Sequence, residues 1–153
     1  MSLANSKMAP PGTRLLIVDD NESGLAARRS VLEELGYWIT TAVDPIEALP
    51  LFRPGSFSLV ITDYKMPQMN GPQFIEKLRE LDSVLPIILI SGFVDSLGLS
   101  EATTGADIVI QKSSNEVSHL VRAVARLMKR KTPKKPVASQ ASQLLVKVKK
   151  QGV

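Results

Sequence analysis

Cysteine is absent from the 153-residue chain, which excludes disulfides and thiolate metal sites and accords with a reducing compartment. Aromatic residues make up only 5%. No apolar run approaches the roughly 20 residues that cross a bilayer as a helix, so no membrane insertion is expected. Met1 to Pro11 lacks the continuous apolar core of a secretory signal. Acid is missing from the end of the chain: all 15 Asp and Glu lie at or before Glu116, whereas 10 of the 19 Lys and Arg follow it. The formal net charge of +4 therefore hides an acidic body and a basic end, and it is no nucleic-acid footprint. What is present is a 44% hydrophobic chain, long enough for one domain with its own core and modest tails.

Five apolar runs alternate with helical patterns. Leu15-Leu16-Ile17-Val18 comes first, followed by Leu25, Val31, Leu32 and Leu35 at helical spacing, with Gly36 placed to end that helix. Trp38 to Ala42 is a weaker second run, after which Asp44 and Pro45 carry the N-cap and first-position pattern of a short helix. Phe57 to Thr62 is the third run, and a helix from about Pro72 should present Phe74, Ile75, Leu78 and Leu81 on one face. Ile87 to Ile90 is the fourth. The stretch from Asp95 to Thr104, with Gly98 inside it, is poorly patterned and reads as a short helix at most. Ile108-Val109-Ile110 is the fifth run. Val117, Leu120, Val121, Val124, Leu127 and Met128 then form the cleanest helical stripe, with Ser113 and Glu116 at capping-box spacing ahead of it.

This alternation specifies the α/β class: a parallel sheet with helices on both faces, three layers in all. Continuous apolar strands agree, since both faces of such strands are covered. Right-handed crossovers narrow the topology to the doubly wound, flavodoxin-like five-stranded order 2-1-3-4-5. Residues 1–12 read as an N-terminal tail opening on Met1-Ser2-Leu3, a string typical of a cloning remnant. Residues 13–130 read as the domain and 131–153 as a basic tail or linker. Within that tail Leu144 to Val148 is expected as an extra strand or as nothing ordered.

Position singles out the chemistry. Asp19 and Asp20 follow the first run directly, Asp63 follows the third, Ser91 the fourth, and Lys112 lies just past the fifth. These are C-terminal strand ends, where open parallel sheets bind ligands. Taken singly each has an ordinary explanation as a helix cap, a turn residue or a surface charge; their joint placement does not. Three gathered carboxylates repel one another unless a cation neutralises them, and an all-oxygen site suits a hard divalent ion, magnesium above all. A carboxylate can act as a nucleophile toward phosphorus, and phosphoryl transfer needs alignment and charge stabilisation more than acid–base groups. A lysine and a hydroxyl would supply both.

Val18-Asp19-Asp20, the string Asp63-Tyr-Lys-Met-Pro-Gln-Met-Asn-Gly71, Ser91-Gly92 and Lys112 resemble the receiver domain of two-component response regulators, over roughly Thr13 to Arg130. The resemblance implies that Asp63 takes a phosphoryl group from a histidine kinase or histidine phosphotransfer protein. It implies that Asp20, Asp63 and the backbone carbonyl of Lys65 bind Mg2+ directly and that Asp19 does so through water. Ser91 would hydrogen-bond the phosphoryl group and Lys112 would pair with it. The module would be a cytoplasmic signalling phosphoacceptor rather than an enzyme in its own right, either as a single-domain regulator or as a piece of a hybrid kinase. Two positions depart from the family pattern: Ser113 replaces the proline after the lysine, and Val109 replaces the aromatic switch residue. A non-proline cis bond costs about 2.5–4 kcal/mol, so the Lys112–Ser113 bond is expected trans. Val109 is stiff at its first torsion, so a large switch rotation is not expected there.

Rival functions lack their own signals. A haloacid-dehalogenase-type hydrolase wants a second acid two residues after the nucleophile, where Lys65 stands. A dinucleotide-binding domain wants Gly-x-Gly-x-x-Gly after the first strand, which is absent. The basic tail has no aromatic residues to stack bases. The alternative that remains is a phosphate-independent interaction module on the same fold.

Overall fold

The structure is a computed structural model and describes residues 8–131. Its elements are β1 (Arg14–Val18), α1 (Glu22–Glu34), β2 (Trp38–Ala42), α2 (Pro45–Leu51), β3 (Leu59–Asp63), α3 (Gly71–Leu81), β4 (Ile87–Ser91), α4 (Val94–Leu97), α5 (Glu101–Thr104), β5 (Ile108–Gln111) and α6 (Glu116–Lys131). The five strands form one parallel sheet in the order β2-β1-β3-β4-β5. This is the expected flavodoxin-like topology.

The apolar runs divide between two cores. Leu15, Ile17, Leu59, Ile61, Ile88 and Ile90 face Leu25 and Leu32 of α1 and Leu120, Val124 and Leu127 of α6. Their neighbours Leu16, Val18, Val60, Ile87 and Leu89 face the other way, onto Ala48, Phe74, Ile75 and Leu78. Alternate side chains of one strand point to opposite faces, so a strand covered on both faces must be apolar throughout. The edge strand β2 is the exception: Trp38 is 66% exposed, with the Arg14 guanidinium 5.9 Å from its ring centroid.

Register fixes the site. Val18 stands opposite Thr62 on β3, Asp63 opposite Ile90 on β4, and Ser91 opposite Gln111 on β5. Asp19, Asp63, Ser91 and Lys112 therefore leave the sheet at one level and at one end.

Several helix ends follow the local rules. Asn21 caps α1 by accepting from the Gly24 N–H at 3.0 Å, and Gly36 ends it at φ 97°, a left-handed conformation that glycine adopts without a Cβ clash. Asp44 caps α2 through the Glu47 N–H, with Pro45 at its start. Other expectations need correction. Leu81 is not on the buried face of α3 but 47% exposed, because it lies in the last turn beyond the edge of the core. The stretch expected as one weak helix is two single turns, α4 and α5. Gly98, at φ 61°, ends the first, and a Ser100–Thr103 capping box starts the second. Ser113 and Glu116 form no capping box; α6 begins at Glu116 itself, whose carboxylate is engaged by Arg28 of α1. The Leu144 to Val148 stretch lies outside the described residues.

Candidate functional site

The loop between β3 and α3 shows what four residues of the Asp-x-x-Met-Pro-x-Met-Asn-Gly string do. Met66 is buried and accepts a long hydrogen bond from the Thr62 hydroxyl to its sulfur at 3.9 Å, which pins the loop under the strand end. Gln68 takes the turn at φ 70°, a conformation that costs a side-chain-bearing residue about 1–2 kcal/mol. Asn70 caps α3: its side chain accepts from the Gln73 N–H at 2.9 Å, while the Gln73 side chain accepts from the Asn70 N–H at 2.9 Å. Gly71 donates its N–H to the Tyr64 carbonyl at 2.7 Å, drawing the helix start against the residue that follows Asp63.

Above this loop is an open cavity of about 490 Å³ lined by Asp20, Asn21, Asp63, Lys65, Met66, Pro67, Gly92, Phe93 and Lys112. Carboxylate oxygens of Asp19, Asp20 and Asp63 lie within 4.8 Å of one another. Asp63 is 6% exposed, and its Oδ1 accepts from the Tyr64 N–H at 2.9 Å and stands 3.1 Å from Lys112 Nζ. Burial, and next the charge of Asp19, push the Asp63 carboxyl above the usual carboxylate range; Lys112 and the Tyr64 N–H pull only part of the way back. Asp20 is exposed and makes no hydrogen bond or ion pair to the described residues.

Asp19 and Ser91 are fully buried and do not line the cavity. The Ser91 hydroxyl accepts from the Phe93 N–H at 2.9 Å, which leaves its proton to be donated. Lys112 is positioned by its own backbone: its N–H donates to the Ser91 carbonyl at 2.9 Å. Its bond to Ser113 is trans, as expected, since no cis peptide bond occurs among the described residues. Gln111 ties the neighbouring loops together, accepting from the Val94 N–H at 3.2 Å and donating to the Gly92 carbonyl at 3.1 Å. Lys65 holds its ammonium 5.9 Å from the centre of the Phe93 ring. Val109 lies away from the cavity; it is half-buried in β5 and lines a groove with His119, Arg122 and Arg126 of α6.

One participant escapes the sequence reading altogether. Arg28 is 4% exposed on α1 and pairs through Nη1 with Asp19 Oδ2. It also forks onto Glu116, Nε to Oε2 and Nη2 to Oε1, both at 3.2 Å. Burial works against its charge, but the hydrogen bonds and charges of Glu116 and Asp19 outweigh that and hold its pKa above the ordinary arginine value. The available signal was Arg28 lying between Leu25 and Leu32 on the apolar stripe of α1, since a charge there must find acid partners.

A hard divalent cation suits what is present. The donors are all oxygen, one acid is unpartnered, and the clustered charge calls for neutralisation. The arrangement thus offers a buried carboxylate, an ammonium group beside it and an exposed acid in one cavity open to solvent.

Comparison with known proteins gives the same family throughout. The response regulator receiver domain family matches residues 15–125. Among curated relatives, the probable transcriptional regulator ycf27 of Guillardia theta is 34% identical over 116 residues, covering 74% of this chain and 45% of that protein. The two-component response regulator ARR12 of Arabidopsis thaliana is also 34% identical, over 74% of this chain and 20% of its own length. The aerobic respiration control sensor protein ArcB of Escherichia coli is 30% identical over 69% of this chain and 14% of its own. The chain thus spans less than half of each of these longer relatives. Among solved structures, response regulator TrrA of Thermotoga maritima, in complex with Mg(2+)-BeF, has TM-score 0.66 at 33% identity, over 75% of this chain and 98% of that one. The non-phosphorylated HemR receiver domain of Leptospira biflexa has TM-score 0.69 at 25% identity, over 82% and 98%. No helix among the described residues is long and apolar enough to cross a membrane. The chain belongs to the receiver-domain family of two-component response regulators.

Proposed function

We propose that Asp63 is the phosphoacceptor of this receiver, taking a phosphoryl group from a histidine kinase or histidine phosphotransfer protein. The observation that carries the reading is the placement of a buried strand-end carboxylate in the lining of an open cavity, with Asp20 in the same lining and an ammonium nitrogen 3.1 Å from its Oδ1. In this reading an Asp63 oxygen attacks phosphorus as the bond to the donor nitrogen breaks. Lys112 pairs with the phosphoryl oxygens, and the Ser91 hydroxyl donates to them. Asp20, Asp63 and the Lys65 carbonyl would hold Mg2+ directly, and Asp19 would act on it through water. The ion would neutralise the clustered carboxylates and the charge on the transferring group.

Residues 13–130 would form the functional unit, and a cytoplasmic setting without nucleic-acid contact fits the acidic body. Val109 and the trans Lys112–Ser113 bond support a role as relay or phosphate sink, in which the phosphoryl group itself is the output. The test uses acetyl phosphate with Mg2+ and reads intact mass. Wild type should gain one phosphate, and Lys112→Ala should gain it more slowly, on the order of a hundredfold, by analogy with the loss of one preorganised charge-stabilising donor. Failure of wild type to take up phosphate from this donor, and from any kinase of its source organism, would count against the reading.

A further inference from the structure

The buried face of α1 carries Leu25, Arg28 and Leu32, so one of its three side chains is a cation. A guanidinium withdrawn from water needs anions around it, and Arg28 has two. Asp19 belongs to the carboxylate cluster at the cavity; Glu116 is the first residue of α6, 88 positions beyond Arg28. A single side chain of α1 thus bridges the pocket and the start of the last helix. Gly24 leaves the room for it: a Cβ there would stand 3.3 Å from Asp19 Oδ2 and 3.7 Å from Arg28 Nη1.

The bridge alters the charge balance of the pocket. Asp63 has Lys112 as its cation and Asp19 has Arg28, which leaves Asp20 as the unpartnered acid of the cluster. A divalent ion beside Asp19 would meet a carboxylate whose Oδ2 is already paired with Arg28 and whose Oδ1 accepts from the Asn21 N–H at 2.9 Å, and it would meet the like charge of the guanidinium. The two cations compete for one carboxylate. Glu116 gives Arg28 somewhere else to lean when the ion wins, and because binding couplings are reciprocal, the seating of α6 then bears on ion affinity.

We propose that Arg28 is a positioning residue, a built-in countercation of Asp19 that weakens divalent-cation binding in the pocket and links it to the first turn of α6 through Glu116. This rests on the cavity being the cation site of the proposed function. The test is a Mg2+ titration by calorimetry on the full chain and its Arg28→Leu, Arg28→Lys and Glu116→Gln variants, with amide exchange followed over residues 119–121.

Arg28→Leu should bind Mg2+ about five- to tenfold tighter, since a like charge has gone from the ion's surroundings. Arg28→Lys, which keeps the charge, should stay within about twofold of wild type. Glu116→Gln should leave Arg28 wholly on Asp19 and weaken binding by about two- to threefold. Added Mg2+ should alter exchange over residues 119–121 in wild type and not in Arg28→Leu. Mg2+ binding in wild type with equal or weaker binding in Arg28→Leu overturns the proposal and leaves the cation site standing. If Arg28→Leu does not fold, unchanged or tighter binding in Glu116→Gln overturns it. No binding by any of the four proteins removes the cation site and the proposal together.

Discussion

Asp63→Asn is expected to abolish phosphate uptake from acetyl phosphate and, in the ion-free protein at pH 7, to raise the melting temperature. The first outcome follows from the chemistry: an amide oxygen is too poor a nucleophile to form the acyl phosphate, and no other carboxylate shares the strand-end position beside Lys112. The second follows from the electrostatics. Burial and then Asp19 hold the folded-state pKa of Asp63 above its ordinary value, in spite of Lys112 and the Tyr64 N–H. A raised carboxyl pKa means that the folded state holds the proton more tightly than the unfolded chain does. Its contribution to stability is therefore present below the unfolded pKa and is lost as pH rises through the folded pKa. At pH 7 the ionised group is a cost, which asparagine removes at nearly constant shape. The gain should be a few degrees for a domain of this size and should shrink as pH is lowered past the raised pKa, where wild type carries the proton. Mg2+ should stabilise wild type more than the variant, because it is the ionised cluster that binds it. Phosphate on Asp63→Asn would remove the acceptor assignment. A lower melting temperature for the variant at pH 7 would remove the electrostatic account and leave the acceptor untouched.

Much of this architecture was legible because burial on both faces writes continuous apolar runs, and those runs locate the strand ends. Once Leu15 to Val18, Phe57 to Thr62 and Ile87 to Ile90 are read as neighbouring parallel strands, Asp19, Asp63 and Ser91 must come together, as the register of β1, β3 and β4 shows. Arg28 was not legible in the same way. An arginine on an amphipathic helix ordinarily reads as solvated, and its partners lie 9 positions before it, just past β1, and 88 after it, at the start of α6, so that only tertiary packing brings all three together. Glu116 misled for the same reason: its spacing from Ser113 favoured a local cap, but a buried guanidinium is the stronger claimant on its carboxylate. Leu81 failed because helical periodicity gives a direction around the axis and not where the core ends along it. The α4 and α5 turns were faint because each is held by local caps and turns, with no buried residue in α4 and one, Thr104, in α5.

Gly71→Ala is expected to cost about 1–3 kcal/mol of stability, the range for forcing extra volume into a packed interior, and to slow phosphate uptake as well. The glycine is required here by closeness. A Cβ at residue 71 would stand 2.6 Å from Leu89 Cδ1, 2.7 Å from the Asp63 carbonyl oxygen and 3.1 Å from Tyr64 Cα. Leu89 is fully buried in the core between β4 and α3, so it has little room to turn away, and the other two atoms are backbone. Relief must come from lifting the start of α3, which stretches the 2.7 Å hydrogen bond from the Gly71 N–H to the Tyr64 carbonyl, or from displacing the main chain of Asp63. The first loosens the Asn70–Gln73 capping box at the helix start. The second moves the acceptor relative to Lys112, which is held independently by its backbone bond to Ser91. Stability and phosphorylation should therefore fall together. Gly92→Ala serves as the control, because a Cβ there would meet nothing within 4 Å, and its stability should stay within about 0.5 kcal/mol of wild type. Denaturant melts of the two variants decide the matter: a Gly71→Ala protein as stable as Gly92→Ala would show that the loop yields without strain, and that close packing is not what the Asn-Gly pair provides.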